Sequence, residues 1–177
     1  MFDLTNKIVL LTGASGGIGK SVARKMKKNG AKIILSGTRK TVLDDLSSEL
    51  GDDTKSIVTD LNSKEDIISL AEEAESYFGR IDILVNNAGI TADSLFLRMK
   101  DEDWNNVINV NLTAGMRLTR QVVKGMLKRR FGRILSANLF PSFEFKTILS
   151  TKTEISCLSF LSRLGDFSIS YRTLSIL

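Results

Sequence analysis

The stretch Ile8-Val9-Leu10-Leu11-Thr12-Gly13-Ala14-Ser15-Gly16-Gly17-Ile18-Gly19 limits what this chain can fold into more than any other. An apolar run that ends in glycines reads as a strand buried on both faces, the kind found in parallel sheets with both faces covered. After Gly19 the chain continues Lys20-Ser21-Val22-Ala23-Arg24-Lys25-Met26-Lys27-Lys28, with Ile18, Val22 and Met26 at helical spacing and cations opposite them. Strand, glycine turn and helix in that order predict a site for a phosphorylated ligand. A helix start offers unpaired N–H groups and the positive end of its dipole, and glycines let a pyrophosphate approach the backbone. The spacing is Gly13-x-x-x-Gly17-x-Gly19 with Gly16 in addition, rather than the common G-x-G-x-x-G. A glycine turn alone also serves as a plain structural turn. The buried strand before it and the amphipathic helix after it favour the nucleotide reading.

The alternation continues downstream. Asn29-Gly30 suits a left-handed cap on the first helix. Lys32 to Gly37 predicts a second strand, Thr41 to Leu50 a helix with Val42, Leu43, Leu46 and Leu50 as its apolar stripe, and Ser56 to Asp60 a short third strand. Ser63 is placed to cap the next helix, with Asp66 three residues on near the capping-box pattern. Its stripe is Ile67, Ile68, Leu70, Ala71, Ala74 and Phe78, and Gly79 closes it. Ile81 to Asn86 predicts a fourth strand. One long helix is expected from about Asp101 to Arg130, its apolar positions running from Trp104 through Leu112 and Met116 to Met126 and Leu127. Phe131 to Leu135 starts a fifth strand. The implied fold class is α/β, a Rossmann-like doubly wound parallel sheet with helices on both faces and right-handed crossovers, incomplete at the C-terminal side.

Composition narrows the chemistry. The 177 residues suffice for about one domain with a substantial core. The chain has no histidine, which removes Ser-His-Asp triads, His zinc ligands and imidazole acid–base catalysis. Cys157 is its one cysteine, so no disulfide within the chain and no C-x-x-C site exist. The 25 basic and 20 acidic residues are interleaved over most of the length, which describes a solvated surface better than a nucleic-acid face. The N-terminal apolar run is too short for a signal-peptide core, and no 18-residue apolar stretch occurs, so neither a membrane span nor export is expected. A reduced cytoplasmic setting is the expectation.

Thr12 to Gly19, Asp60-Leu61, Asn86-Asn87-Ala88-Gly89 and Asn109-Val110-Asn111-Leu112, in that order, resemble the signature of short-chain dehydrogenase/reductases. Met1-Phe2-Asp3-Leu4-Thr5, Gly89-Ile90-Thr91, Arg98 to Trp104 and Arg130 to Ile134 are similar to the narrower group of bacterial 3-oxoacyl-(acyl-carrier-protein) reductases. The resemblance covers residues 1–135. It implies that the glycine turn (Gly13, Ser15, Gly17, Ile18 and Gly19) holds the pyrophosphate of a nicotinamide cofactor, and that Asp60 and Leu61 meet its adenine. Asn87, Ala88 and Gly89 would line the ribose and nicotinamide at a strand's carboxyl end. By themselves Asn86-Asn87 also suit a turn; the order of the motifs favours the cofactor wall. The resemblance further implies that Asn111 kinks the long helix and holds a proton-relay water, and that the substrate is an acyl group on acyl carrier protein; the family is homo-oligomeric, but this chain is expected to lack part of that interface.

Cofactor choice turns on the end of the second strand. A site for NAD places an acid about 20 residues beyond the glycines to bind the ribose 2′-hydroxyl. Here Ser36-Gly37-Thr38-Arg39-Lys40 carries no carboxylate, and Arg39 suits a 2′-phosphate, so NADP(H) is expected, with Thr38 and Arg39 in the site. A solvated arginine at a helix start is the alternative. Lys124, Lys128, Arg129 and Arg130 either complement the dipole of the long helix or, for the last three, dock the acidic carrier protein.

Reduction of a ketone also needs a proton donor, which in the resembled family is a tyrosine with a lysine four residues on. No Y-x-x-x-K occurs here: Tyr77 is followed by Ile81 and Tyr171 by Ser175. The serine expected on the fifth strand is matched only off register, by Ser136 in Leu135-Ser136-Ala137-Asn138. From residue 136 the text changes character. Residues 136–177 hold one glycine, Gly165, but five of nine phenylalanines, and keep neither a helical nor a strand period. The expectation is an irregular tail at 136–177, the product of a reading-frame change just after Ile134. That would impair or abolish activity, leave an open sheet edge and make the protein prone to aggregate. The competing reading is a non-catalytic NADP-binding remnant.

Overall fold

The computed structural model describes residues 3–92 and 96–137. Five strands and their connecting helices alternate: β1 (Ile8–Leu11), α1 (Gly17–Lys28), β2 (Lys32–Gly37), α2 (Lys40–Leu50), β3 (Thr54–Val58), α3 (Lys64–Phe78) and β4 (Ile83–Asn86). A short 3-10 turn (Phe96–Arg98), α4 (Asp101–Ile108), a π-turn (Asn109–Thr113), α5 (Ala114–Arg129) and β5 (Arg133–Ser136) complete them. All strand pairs are parallel, in the order β3-β2-β1-β4-β5. The chain thus winds outward from β1 in one direction and then, from β4, in the other.

Both faces of the sheet are covered, which is why the strands read as unbroken apolar runs. Leu10, Ile34, Ile57, Leu84 and Ile134 pack against α3 and α5 through Ile67, Leu70, Leu118, Val122 and Met126. Val9, Leu11, Ile33, Leu35 and Val85 pack against α1 and α2 through Val22, Met26, Leu43 and Leu46. Alternate residues of each strand serve opposite layers, as a period of two requires. The caps read from the sequence are present. Gly30 has φ +90° behind Asn29, Gly79 closes α3 at φ +76°, and Ser63 accepts the Asp66 N–H at 3.1 Å.

The structure corrects several boundaries. β3 begins two residues before the expected Ser56 and α2 one before Thr41. Ile18 does not belong to the buried stripe of α1. It is 57% exposed in the first helical turn, at the mouth of the cleft described below, and Gly19 packs inward instead. The single long helix is two α-helices joined by a π-turn at Asn109–Thr113. Only part of its apolar sequence is core: Leu118, Val122 and Met126 are buried, whereas Trp104, Leu112 and Met116 are 54%, 41% and 45% exposed. β5 runs through Ser136, and the Ala137 N–H still bonds the Asn86 carbonyl, so the sheet extends two residues past the expected boundary at 135. The remainder of the expected tail, with Cys157 and Tyr171, lies outside the described residues.

Candidate cofactor-binding cleft

The apolar core stops abruptly at the carboxyl ends of the strands. Two residues beyond the core positions Leu10, Ile34, Ile57 and Leu84 stand Thr12, Ser36, Thr59 and Asn86, one per strand across the same face. This polar row underlies a cleft of about 390 Å³. It lies where the winding reverses between β1 and β4, the place at which open parallel sheets bind ligands.

Four turns form the three walls of the cleft. The turn after β1 is shaped by glycines with different tasks. Gly13 adopts φ +66°, and a Cβ there would fall 2.7 Å from Ala88 Cα. A Cβ on Gly19 would fall 2.2 Å from the Gly13 carbonyl oxygen, so α1 approaches the turn as closely as backbone allows. At Gly17 a Cβ would meet nothing within 4 Å. Gly17 is exposed and lines the cleft, at the start of a helix whose Gly16 N-cap supplies no side-chain bond. The first N–H groups of α1 are therefore left for a ligand.

The turns after β2 and β3 make the second wall. Gly37 lies against Ser15, and Arg39 donates from Nη2 to the Ser15 carbonyl at 2.5 Å, bridging two turns of the cleft. That bond engages one guanidinium nitrogen and leaves the other guanidinium donors available. Asp60 is exposed and folds its carboxylate onto the Asn62 N–H at 2.9 Å, which shapes the Asp60-Leu61-Asn62 turn. The third wall follows β4. Asn87 Nδ2 donates to the Thr12 carbonyl at 3.0 Å, and Gly89 and Ile90 continue the rim.

Every residue expected to touch the cofactor thus lines one cleft: Gly13, Ser15, Gly17, Ile18 and Gly19; Thr38 and Arg39; Asp60 and Leu61; Asn87, Ala88 and Gly89. Asn111 does not line it. Asn111 lies in the π-turn and clasps the Ile90 backbone, accepting from its N–H at 2.8 Å and donating to its carbonyl at 3.0 Å. The long helix is indeed irregular at this asparagine. Ser136 ends β5 opposite Asn86, on the same edge of the sheet but outside the cleft lining.

Thr12 is the residue that sequence reasoning passed over. It is buried, donates to the Val85 carbonyl at 3.3 Å, and accepts from the N–H groups of Asn87 and Ala88 at 3.0 and 3.1 Å. One hydroxyl therefore ties the glycine turn to the asparagine turn. The signal was a β-branched hydroxyl residue at the strand end immediately before the first glycine. Asn62 and Asn109 were also missed; they bond each other at 3.0 Å.

Two other groups of residues lie away from the cleft. Tyr77, the one tyrosine among the described residues, is near the end of the 15-residue helix α3. At 1.5 Å per residue it stands roughly 20 Å from the cleft end of that helix. Its phenol donates to Glu73 at 2.8 Å, and that bond, then partial burial, raises its pKa above the ordinary value. It is neither placed nor tuned as a proton donor for the cleft. Of the three cations expected to meet an acidic partner, Lys128 and Arg130 are exposed. Arg129 turns inward to the Ile81 carbonyl at 2.6 Å and lies 3.8 Å from Glu75.

A parallel sheet wound both ways from β1, with a glycine-lined cleft where the winding reverses, defines a Rossmann-type α/β domain. The profile of the short chain dehydrogenase family matches residues 7–138. The chain belongs to that family of oxidoreductases. It is 48% identical over 136 residues to nodulation protein G of Rhizobium sp. (strain N33), covering 77% of this chain and 56% of that protein. It is 43% identical over 134 residues to the 3-oxoacyl-(acyl-carrier-protein) reductase of Escherichia coli (strain K12), covering 76% and 55%. The corresponding reductase of Haemophilus influenzae is 42% identical over 133 residues. The chain therefore spans about half the length of the curated relatives it matches.

Proposed function

We propose that the cleft binds NADP(H), and that the chain carries the cofactor-binding half of a reductase acting on 3-oxoacyl groups held by acyl carrier protein. The observation that carries this reading is the glycine cradle. Gly17 lines the cleft, with open space where a Cβ would be, beside helix N–H groups that no side chain caps. A pyrophosphate fits that chemistry. Arg39 supports NADP(H) over NAD(H): its guanidinium is tethered at one nitrogen to Ser15 and keeps donors for a 2′-phosphate. Once bound, the reduced nicotinamide would supply hydride. The chain's own residues hold the dinucleotide, with Asn87, Ala88 and Gly89 beside the ring end and Asp60 and Leu61 beside the adenine end. Lys128 and Arg130 remain candidates for meeting the acidic carrier.

A second reading is favoured by the position of Tyr77. Reduction needs a proton donor within hydrogen-bond reach of the substrate oxygen, and the described tyrosine is at the far end of α3. On that reading the chain binds NADP(H) without turning over. Fluorescence titration with NADPH and NADH, followed by NADPH oxidation with a short 3-oxoacyl thioester, separates the two. NADPH binding tighter than NADH, with turnover, supports the reductase. Binding without turnover supports the non-catalytic form, and absence of binding overturns both.

A further inference from the structure

The π-turn does more than bend a helix. Two of its residues, Asn109 and Asn111, are i and i+2, and at 100° per residue such positions point to nearly opposite sides. Here they reach opposite rims of the cleft. Asn111 clasps both backbone polar groups of Ile90, behind β4. Asn109 donates from Nδ2 to Asn62 Oδ1 at 3.0 Å, behind β3. Between them Val110 is buried and forms part of the cleft wall. A regular helix closes each turn with i→i+4 bonds; the π-turn takes one more residue, and such turns recur at functional sites.

The rim that Asn109 holds is otherwise lightly tethered. Asp60, Asn62 and the Ser63–Asp66 cap are exposed or half-exposed, and their bonds are mutual: Asn62 N–H to the Asp60 carboxylate, Ser63 N–H to the Asp60 carbonyl, Asp60 N–H to the Asp66 carboxylate at 3.3 Å. Leu61 of this turn packs against the core, and the bond from Asn109 adds a polar tie from the turn to the helical layer. We propose that Asn109 is a positioning residue for the adenosine end of the bound dinucleotide: through Asn62 it fixes the Asp60–Asn62 turn, while Asn111 on the same π-turn fixes the nicotinamide-side rim. The inference rests on the NADP(H) reading above. The ligand class it concerns is an adenosine nucleotide carrying a 2′-phosphate.

The test uses the full chain with two probes, adenosine 2′,5′-bisphosphate for one end of the cleft and reduced nicotinamide mononucleotide for the other. Asn109→Ala should weaken the adenosine probe roughly two- to fivefold, the range of one exposed neutral hydrogen bond, and leave the nicotinamide probe unchanged. Asn62→Leu should do the same, and the double variant should lose no more than either single one, because both remove the same bond. Equal weakening of both probes, or of neither, overturns the proposal. A second measurement does not depend on the ligand. In the free chain, Asn109→Ala should speed hydrogen exchange at the Asn62 and Ser63 amides and leave the Ile90 amide and the β1 amides unchanged. Uniform acceleration would mean a general loss of stability and would overturn the role. A wild-type chain that binds neither probe defeats the nucleotide reading and the positioning role with it, while the exchange experiment still decides whether the brace exists.

Discussion

The same substitution at two glycines two residues apart should have opposite consequences. In Gly19→Ala the added methyl would stand 2.2 Å from the Gly13 carbonyl oxygen, 2.8 Å from Ala14 Cα and 2.9 Å from the Gly13 carbonyl carbon. All three are backbone atoms, and Gly13 is itself wedged against Ala88. The turn cannot yield without opening the contact between the first and fourth strands' loops. Overpacking of this kind costs about 1–3 kcal/mol, and the closeness here puts the expected loss at about 3 kcal/mol or more. In Gly17→Ala the methyl meets no protein atom within 4 Å, and the position is the first of α1. A chain entropy gain of about 0.4–1 kcal/mol should leave that variant as stable as the wild type or slightly more so. The two variants should therefore differ by about 4 kcal/mol, which at about 1–3 kcal/mol/M separates their urea midpoints by more than ~1 M. Binding should run the other way. On the proposed reading the Gly17 methyl would crowd the pyrophosphate end of the cleft, so NADPH affinity should fall by about tenfold or more, equivalent to ~1.4 kcal/mol. Denaturant titration and NADPH fluorescence on the same two proteins check both halves. Gly19→Ala within ~1 kcal/mol of wild type would refute the packing argument. Gly17→Ala with unaltered NADPH affinity would refute the placement of the pyrophosphate.

Three further outcomes are expected. Arg39→Asp should weaken NADPH by about ten- to a hundredfold, the value of charge-assisted bonds to a 2′-phosphate, and leave NADH within a few-fold; an unchanged ratio of the two dissociation constants excludes Arg39 as the determinant. Thr12→Val deprives the Asn87 and Ala88 N–H groups of their acceptor and should cost about 1–3 kcal/mol by denaturant titration, whereas Thr12→Ser should cost much less. The Asp44 carboxyl is held below the usual carboxylate range, first by its bond to Lys40 and then by the Ser56 hydroxyl. A depressed folded pKa contributes stability above the unfolded value of about 3.9 and loses it as pH falls through the folded value, so Lys40→Ala should raise the Asp44 midpoint in an NMR titration.

The architecture was legible because the strands are buried on both faces and punctuated by glycine. An apolar run such as Ile33-Ile34-Leu35 has few alternatives once a helical period follows it. The cleft was legible for a related reason. Its walls are backbone turns, and backbone turns advertise themselves through Gly13, Gly19 and the Asn86-Asn87 pair. What escaped was whatever depended on where a helix face goes in three dimensions. Ile18 carries the right spacing for the core of α1, but it opens the helix, where the chain has not yet turned onto the sheet, and faces the cleft mouth instead. Leu112 and Met116 have helical spacing too, yet the π-turn shifts the phase between α4 and α5, so a continuous stripe in sequence splits into a buried face and an exposed one. Arg129 looked like its neighbours Lys128 and Arg130, and only the Ile81 carbonyl beneath it reveals that it turns inward.

Binding and turnover are separable in this fold because they draw on different parts of the chain. Every wall of the cleft comes from residues between Gly13 and Val110, held by bonds that begin and end between Thr12 and Asn111: Thr12 to Asn87, Arg39 to Ser15, Asn109 to Asn62 and Asn111 to Ile90. These contacts use backbone amides, one hydroxyl, one guanidinium and a few carboxamides, none of which delivers a proton at neutral pH. A protonated group that could do so is absent from the cleft lining among the described residues, where the titratable side chains are Asp60 and Arg39. On the proposed reading, the cleft would grip a dinucleotide without holding the group that would finish a carbonyl reduction. The two activities should be lost independently: substitutions at Gly17 or Arg39 should abolish or redirect binding, whereas turnover, if present, should depend on a donor beyond the strand that ends at Ser136. Removal of residues 138–177 then tests the separation directly. NADPH affinity should survive in a truncated chain that still folds, and turnover by that chain would show that the donor lies within the cleft after all.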